Sequence, residues 1–178
     1  MAFQEWKGED RGHMKRNLCL LLVTFAGICC VIKFSADMAI AASASAETKA
    51  FTPDQIKYGP APPFLLPGAQ LAVVEGNPLA LDGDYTVRLK MPDGYRIAPH
   101  WHPKRENVTV ISGKFKLGMG DRFEESSMQT FPAGSFAYLD PDMHHYAMAS
   151  GGAVVQVHGM SPLKFNYVNP NDDPSRKK

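Results

Sequence analysis

Cysteine is absent from most of this chain of 178 residues. Its three cysteines, Cys19, Cys29 and Cys30, all lie within the first 46 residues. The remainder therefore has no disulfide, no thiolate metal site and no cysteine nucleophile. A metal ion bound there must use histidine, carboxylate, amide, backbone or water ligands.

A cluster of positive charge is also missing. The formal net charge is +1, and residues 47–178 contain 14 Lys and Arg against 14 Asp and Glu. Proteins that bind nucleic acid carry a basic patch or stripe, so we expect no nucleic-acid partner. The absence of a glycine-rich phosphate loop likewise disfavours a nucleotide cofactor.

The chain has one apolar run of note, over residues 18–32, and its 15 residues are fewer than the roughly 20 of a membrane-spanning helix. A short basic stretch at 14–16 precedes it, and small residues at 42–46 offer two small-x-small cleavage patterns. This order predicts that residues 1–46 are a signal peptide, with Met14 as an alternative start. Because Lys33 interrupts the usual path to the cleavage site, an uncleaved membrane anchor is the competing interpretation. We expect a periplasmic or secreted protein without stable membrane association after cleavage.

No apolar pattern with the period of a helix follows the predicted leader, residues 1–46. Five prolines between positions 51 and 68 cannot donate to a sheet ladder, so residues 47–70 are predicted to be a wrap or edge segment. Residues 71–168 are predicted to form a β-barrel, and the polar, proline-broken tail 169–178 is expected to fray.

The predicted barrel consists of short apolar runs separated by turn residues, a pattern typical of a sandwich or barrel. In the run 85–91, Tyr85 and Val87 alternate with Thr86 and Arg88, which predicts one packed face and one solvated face. Ser112-Gly113 and Gly151-Gly152 are read as turns, and 123–129, the one possible helical turn, is treated as a loop. The predicted strands are 71–75, 85–91, 107–111, 114–119, 135–139, 144–149, 153–158 and 163–168.

Two histidines stand one residue apart in "GYRIAPHWHPKRENVTVISG", which runs from Gly94 to Gly113. If the strand keeps its register, His100, His102 and Glu106 share a face with the apolar Val108 and Val110. That face is inward, where a carboxylate and polar rings are tolerated only with partners. A bound cation would offset the cost of burying all three side chains. The alternative is that these are surface histidines or hydrogen-bonded core histidines without a metal.

A second histidine pair follows a turn-like segment. His145 begins an apolar run, so we predict that it points inward and that His144 lies at the rim. Four of the five histidines after residue 46 belong to these two pairs, which disfavours the alternative of histidines without a metal. His158 is interpreted as a hydrogen-bonded structural residue, with an outer-sphere role at the metal as the alternative.

The spacing of Gly94, His100, His102, Glu106 and Gly113 resembles the first motif of the cupin superfamily at every fixed position. The second motif is looser, because nine residues separate Gly134 from the first following histidine, and alanine stands at 149. This arrangement is similar to the cupin half of zinc-binding anti-sigma factors.

The resemblance implies a single all-β domain, the double-stranded β-helix or jelly-roll barrel. It also implies one divalent transition metal (Fe, Mn, Zn, Ni or Cu), held by His100, His102, Glu106 and His145, and a homodimer. In an enzyme of this kind Glu106 doubles as the catalytic proton acceptor.

Three functional hypotheses follow, and the residues alone do not separate them. The first is an exported oxidoreductase, similar to dioxygenases, acting on a small oxygen-bearing molecule. The second is a non-catalytic module that binds or senses a metal or ligand, and the third is a metal-dependent isomerase or lyase. Additional ionisable groups near the metal would favour acid–base chemistry, and the candidates are Arg88, Arg96, Tyr138 and Tyr146.

Overall fold

The computed structural model describes residues 48–177, which contain strands, turns and only single turns of 3-10 helix. The all-β prediction is therefore confirmed, and the predicted leader lies outside the described residues. No helix within 48–177 is long and apolar enough to span a bilayer. The strands are β1 (Gly59–Pro60), β2 (Gln70–Gly76), β3 (Asp84–Met91), β4 (Arg96–Trp101), β5 (Glu106–Met119), β6 (Gln129–Pro132), β7 (Phe136–Leu139), β8 (His145–Met160) and β9 (Asn166–Tyr167).

All named strands pair in antiparallel fashion in one curled sheet, with β8 at its centre. One side of β8 pairs with β3 and then with β4, and the other side pairs with β5. The opposite edge of β5 carries β7 and then β6. The proline-rich segment contributes only the short strand β1 at the edge of β2, because proline lacks the N–H that a central strand needs.

The core follows the alternation along the strands. In β3, Tyr85, Val87, Leu89 and Met91 are buried, while the residues between them are partly or fully exposed. They pack against the inward residues of β5 and β8, including Val108 and Val155. The alternation fails at the end of β5, where Met119 is 48% exposed although regular alternation would place it on the same face as buried Phe115.

Two predicted turns are in fact bulges inside long strands. The runs 107–111 and 114–119 form the single strand β5, and 144–149 and 153–158 form the single strand β8. The register shifts between Gly113 and Lys114, opposite Gly151 and Gly152. Gly113 has φ +76°, and a Cβ there would stand 2.1 Å from the carbonyl oxygen of Gly152. Such bulges bend a strand without ending it, which is why turn residues appear in mid-strand.

The bends bring opposite ends of one ladder together. The β5–β8 ladder runs from Glu106 paired with Gly159 to Met119 paired with His145. A straight strand of this length would extend roughly 45 Å at 3.3 Å per residue. In the curled sheet, however, the side chains of Glu106 and His145 meet at 3.4 Å. The closure of the barrel therefore creates the site described below.

Three further predictions are corrected by the structure. The run 163–168 contains only the two-residue strand β9, and the presumed loop 123–129 contains a 3-10 turn at Glu125–Ser127. The tail is not frayed over 170–176, because 3-10 turns form at Pro170–Asp172 and Pro174–Arg176. The side chains of Asn169 and Asp173 accept hydrogen bonds from the backbone and cap these turns.

Candidate metal centre

Three buried histidines converge inside the barrel. His100 and His102 come from β4 and the residue just after it, and His145 begins β8 directly opposite His100. One ring nitrogen from each lies within 4.8 Å of the others. Two ligand atoms about 2.1 Å from one ion are at most about 4.2 Å apart, so small ring movements would bring these nitrogens into range.

The Nδ1 atom of each ring is held by a backbone carbonyl. His100 Nδ1 lies 2.8 Å from the oxygen of Ala98, His102 Nδ1 lies 2.7 Å from that of Lys164, and His145 Nδ1 lies 2.9 Å from that of Met143. A carbonyl only accepts, so Nδ1 must carry the proton in each ring. Every Nε2 is then left as a lone-pair donor, which is how metal-binding histidines are oriented.

Glu106 completes the cluster from the start of β5. Its side chain is 13% exposed, and its two oxygens lie 3.7 Å from His102 Nε2 and 3.4 Å from His145 Nε2. Within residues 48–177, His102 Nε2 is the buried side-chain atom without a hydrogen-bond partner. An unpartnered buried nitrogen is costly unless something else binds it, and a cation would do so.

The electrostatics keep His100, His102 and Glu106 in protonation states that could bind a metal ion. Burial lowers the pKa of His100 well below its usual range, and the neighbouring His145 and His102 lower it further. Burial also lowers the pKa of His102, although Glu106 opposes that shift. Burial by itself would raise the pKa of Glu106, but His102 and His145 outweigh it and lower the pKa. Neutral His100 and His102 and an ionised Glu106 are in the deprotonated forms that a metal ion requires of its ligands.

The sequence argument reached this cluster through one wrong step. His100 and His102 were expected on the same strand as Glu106, but residues 102–105 separate β4 from β5. A register shift between Ile97 and His100 changes which residues of β4 face inward, from odd-numbered Ile97 to even-numbered His100. All three side chains still face inward. They do so because the register shifts within β4 and because Glu106 lies on a second strand, not because one regular strand holds all three.

The remaining histidines lie outside the cluster. His144 is 37% exposed, its Nδ1 is 2.5 Å from an oxygen of Asp121, and its ring stacks on Trp101. His158 is exposed on the outer face of β8. Its interpretation as a hydrogen-bonded structural histidine is wrong, because its ring has no hydrogen-bond partner among the described residues; its backbone carbonyl accepts from the side chain of Asn107.

None of the additional ionisable candidates reaches the cluster. Arg88 donates to Gln156, and Arg96 pairs with Glu125 at 3.2 Å. Tyr138 is 57% exposed. Tyr146 is buried on the opposite side of β8 from His145 and donates to the carbonyl of Glu124. Glu106 is thus the one carboxylate placed to move a proton among the residues that line this part of the barrel.

Sequence reasoning missed the contribution of the segment around Phe165. The Phe165 ring stacks on His100 at 4.0 Å and 13°, and meets His102 edge-on at 4.9 Å. Phe64, from the proline-rich segment, stacks on the other side of Phe165 at 5.4 Å. Adjacent Lys164 supplies the carbonyl that orients His102. These contacts join parts of the chain 62 (164 minus 102) to 101 (165 minus 64) residues apart, so no local pattern could reveal them.

The fold, unlike the sequence, has clear relatives. The sequence matches no protein-family model and no curated protein. The polyketide cyclase RemF from Streptomyces resistomycificus superposes with a TM-score of 0.61 at 13% identity, covering 72% of this chain and 91% of that one. A protein assigned as an acetylacetone dioxygenase from Methylibium petroleiphilum PM1 has a TM-score of 0.54 at 18% identity, covering 73% and 88%.

A third similar structure carries the fold in its name. An RmlC-like cupin from Shewanella frigidimarina NCIMB 400 superposes with a TM-score of 0.50 at 16% identity, covering 65% of this chain and 91% of that one. Because the sequence identities are low, these similarities are evidence for the fold alone. Together with the curled antiparallel sheet, they establish that residues 48–177 adopt the cupin fold, the double-stranded β-helix.

Proposed function

We propose that this protein is an exported, metal-dependent oxidoreductase, similar to dioxygenases, that acts on a small oxygen-bearing molecule. The metal is one divalent ion of Fe, Mn, Zn, Ni or Cu, held by His100, His102, Glu106 and His145. One observation carries the proposal. Three buried imidazoles converge, each Nδ1 is tied to a carbonyl, the Glu106 carboxylate lies beside the Nε2 atoms of His102 and His145, and His102 Nε2 has no hydrogen-bond partner.

The residues present fit such an ion. Imidazole and carboxylate ligands suit first-row transition metals better than Ca²⁺ or Mg²⁺. Four protein ligands leave an octahedral ion two positions for water and substrate. When bound, the ion supplies Lewis-acid or redox chemistry at the substrate oxygen.

The residues of the chain orient the ligands, exclude water and accept a proton. The Ala98, Lys164 and Met143 carbonyls fix the histidine rings, and Phe165 covers His100 against water. Glu106 is placed to accept a proton from the substrate. Because no second carboxylate and no lysine or arginine is among the described residues that line the cavity, chemistry carried mainly by the metal is favoured over sugar isomerisation.

Two alternatives have specific support. The neighbour named as a polyketide cyclase supports a Lewis-acid reaction without a change of redox state, a lyase- or isomerase-like role. The looser second motif supports a non-catalytic module that binds a metal or ligand. The expected homodimer stays a prediction.

The deciding experiment is elemental analysis of the protein after export from its native host. We expect one transition-metal ion per chain and an N-terminus at residue 45 or 47. Stoichiometric iron, manganese, nickel or copper, with oxygen uptake on substrate addition, would support the oxidoreductase. Stoichiometric zinc would support the Lewis-acid or binding role, and a metal-free protein would overturn the ligand assignment.

A further inference from the structure

Phe165 lies between two pockets of the barrel. The inner cavity, about 50 Å³, is inside the barrel beside the histidine cluster. The outer pocket, about 250 Å³, lies at the edge strand β9. Among the described residues, Phe165 is the one that lines both. The outer pocket is also lined by aromatic Trp101 and Tyr167 and by charged Asp173 and Arg176.

The Phe165 ring covers two of the three histidine rings. Its centroid lies 4.0 Å from that of His100 and 4.9 Å from that of His102, the histidine whose Nε2 has no hydrogen-bond partner. On its other side Phe64 packs less closely, with the centroids 5.4 Å apart. The ring therefore separates the ligands from the outer pocket on this side of the cluster.

This ring can move without moving the ligands. The backbone beside it is held by the hydrogen bond between the Lys164 carbonyl and His102 Nδ1, and by that from the Val168 N–H to the Pro99 carbonyl. Neither bond involves the Phe165 side chain. The ring is only partly buried, and the outer pocket gives it room to change rotamer. The ligand set would stay assembled while the ring rotates.

Charge favours a cation in the outer pocket over the inner cavity. Burial raises the pKa of the Tyr167 hydroxyl, and Tyr95, Asp173 and Asp172 raise it further, so both carboxylates act on this wall. Arg176 pairs with Asp173 at 3.4 Å, which leaves two negative charges against one positive charge. A cleft of negative charge raises the local concentration of cations. The inner cavity is mostly apolar, so a cation crossing it would lose its hydration without replacement.

We propose that the metal ion enters and leaves the histidine cluster through the outer pocket, with the Phe165 ring as the gate. The ring determines how fast the ion exchanges, whereas the four ligands determine how tightly it binds. This inference rests on the proposed function, because the ion that passes the gate is the one those ligands hold. The competing route runs past Glu106, whose side chain is 13% exposed.

The first test compares Phe165→Ala with Leu163→Ala. Leu163 lies two residues earlier, is also partly buried and lines the inner cavity, but it does not line the outer pocket. Zinc is the ion. Its uptake by the stripped protein and its release to excess chelator are timed by stopped-flow, and Kd is measured by equilibrium competition.

Phe165→Ala should accelerate uptake and release alike, each at least about tenfold, because removing a gate lowers the barrier in both directions. The Kd should therefore stay within about threefold of the original value. Leu163→Ala should exchange zinc as the original protein does. Phe165→Leu keeps most of the side-chain volume, so its rates should lie in between, and it serves if the alanine variant does not fold.

The second test changes the charge of the outer pocket. Asp173→Asn keeps a side-chain acceptor for the Ser175 N–H and removes one negative charge. It should slow zinc uptake at low salt and have little effect at high salt, where the charge is screened. Asp140→Asn is the matched control, because Asp140 also pairs with an arginine, Arg105, which adjoins Glu106 in the chain. It should leave uptake unchanged.

Three results would overturn this inference while zinc still binds. They are unchanged rates in Phe165→Ala, faster release without faster uptake, and equal acceleration in Leu163→Ala. Slower uptake in Asp140→Asn than in Asp173→Asn would assign entry to the route past Glu106 instead. A protein that binds no stoichiometric metal overturns the proposed function and this inference with it.

Discussion

At the scale of single residues, the site is defined as much by backbone carbonyls as by the side chains that face the cavity. Each carbonyl fixes one histidine tautomer, and each therefore determines which nitrogen is free. The adjacent pair His144 and His145 shows the consequence. One ring is 3% exposed beside Glu106, and the other is 37% exposed beside Asp121.

This difference makes the pair a test of the ligand set. We expect His102→Ala to lose stoichiometric metal, with affinity reduced at least about 100-fold, since even outer-sphere partners are worth 10–100-fold. His144→Ala should retain the metal, because His144 does not face the cluster. Metal content after dialysis, measured by mass spectrometry, gives both values.

The control for His102→Ala is His102→Gln, which removes the imidazole with less change in volume. Circular dichroism of each variant shows whether the barrel still forms. Equal metal retention in His102→Ala and His144→Ala would contradict the ligand assignment.

At the scale of elements, the decisive features are the glycine bulges in β5 and β8. They let each strand continue around the barrel, and they explain why turn-like dipeptides occur in mid-strand. Gly113 serves here because its backbone lies in the left-handed region and passes against Gly152.

Gly113→Ala should therefore destabilise the fold strongly. The left-handed backbone costs a non-glycine residue about 1–2 kcal/mol, and the added Cβ would overlap the Gly152 carbonyl at 2.1 Å. We expect the free energy of unfolding to fall by more than about 2 kcal/mol, measured by urea denaturation.

Gly134→Ala is the matched control. Gly134 also has positive φ, at +87°, but a Cβ there meets no atom within 4 Å. Its loss should be limited to the backbone cost, so the difference between the variants isolates the steric overlap. Equal losses would mean that the bulge tolerates a side chain.

Predictability from sequence varied with the range of the interaction. The strand content and the buried face of β3 could be read from local alternation, because each depends on neighbouring residues. The turns assigned at 112–113 and 151–152 were wrong, since a bulge and a turn use the same residues and only the partner strand distinguishes them. The stacking of Phe165 on His100 was beyond reach, because it depends on closure of the whole barrel.

At the scale of the whole molecule, metal binding and folding should be coupled. The unfolded chain does not hold His100, Glu106 and His145 together, so an ion that binds the folded form stabilises it. At a free metal concentration 100 times the dissociation constant, the gain is about 2.7 kcal/mol.

Removing the metal with a chelator should therefore lower Tm by roughly 10 °C for a domain of this size. Calorimetry of the loaded and stripped protein measures the change, and adding the metal back should restore Tm. An unchanged Tm after complete removal would show that the ion does not bind the folded state preferentially.

The meeting of Glu106 with His145 at opposite ends of one ladder has a further consequence. A metal ion bound to both would join positions 39 residues apart (145 minus 106) and close a loop of the chain, as a disulfide does in secreted proteins. Residues 47–178 contain no cysteine and so cannot form a disulfide with one another. A metal ion would therefore take the place of a disulfide as the cross-link between distant side chains. The stability of the barrel should then be indifferent to thiol reductants and sensitive to chelators, the reverse of a disulfide-bonded domain.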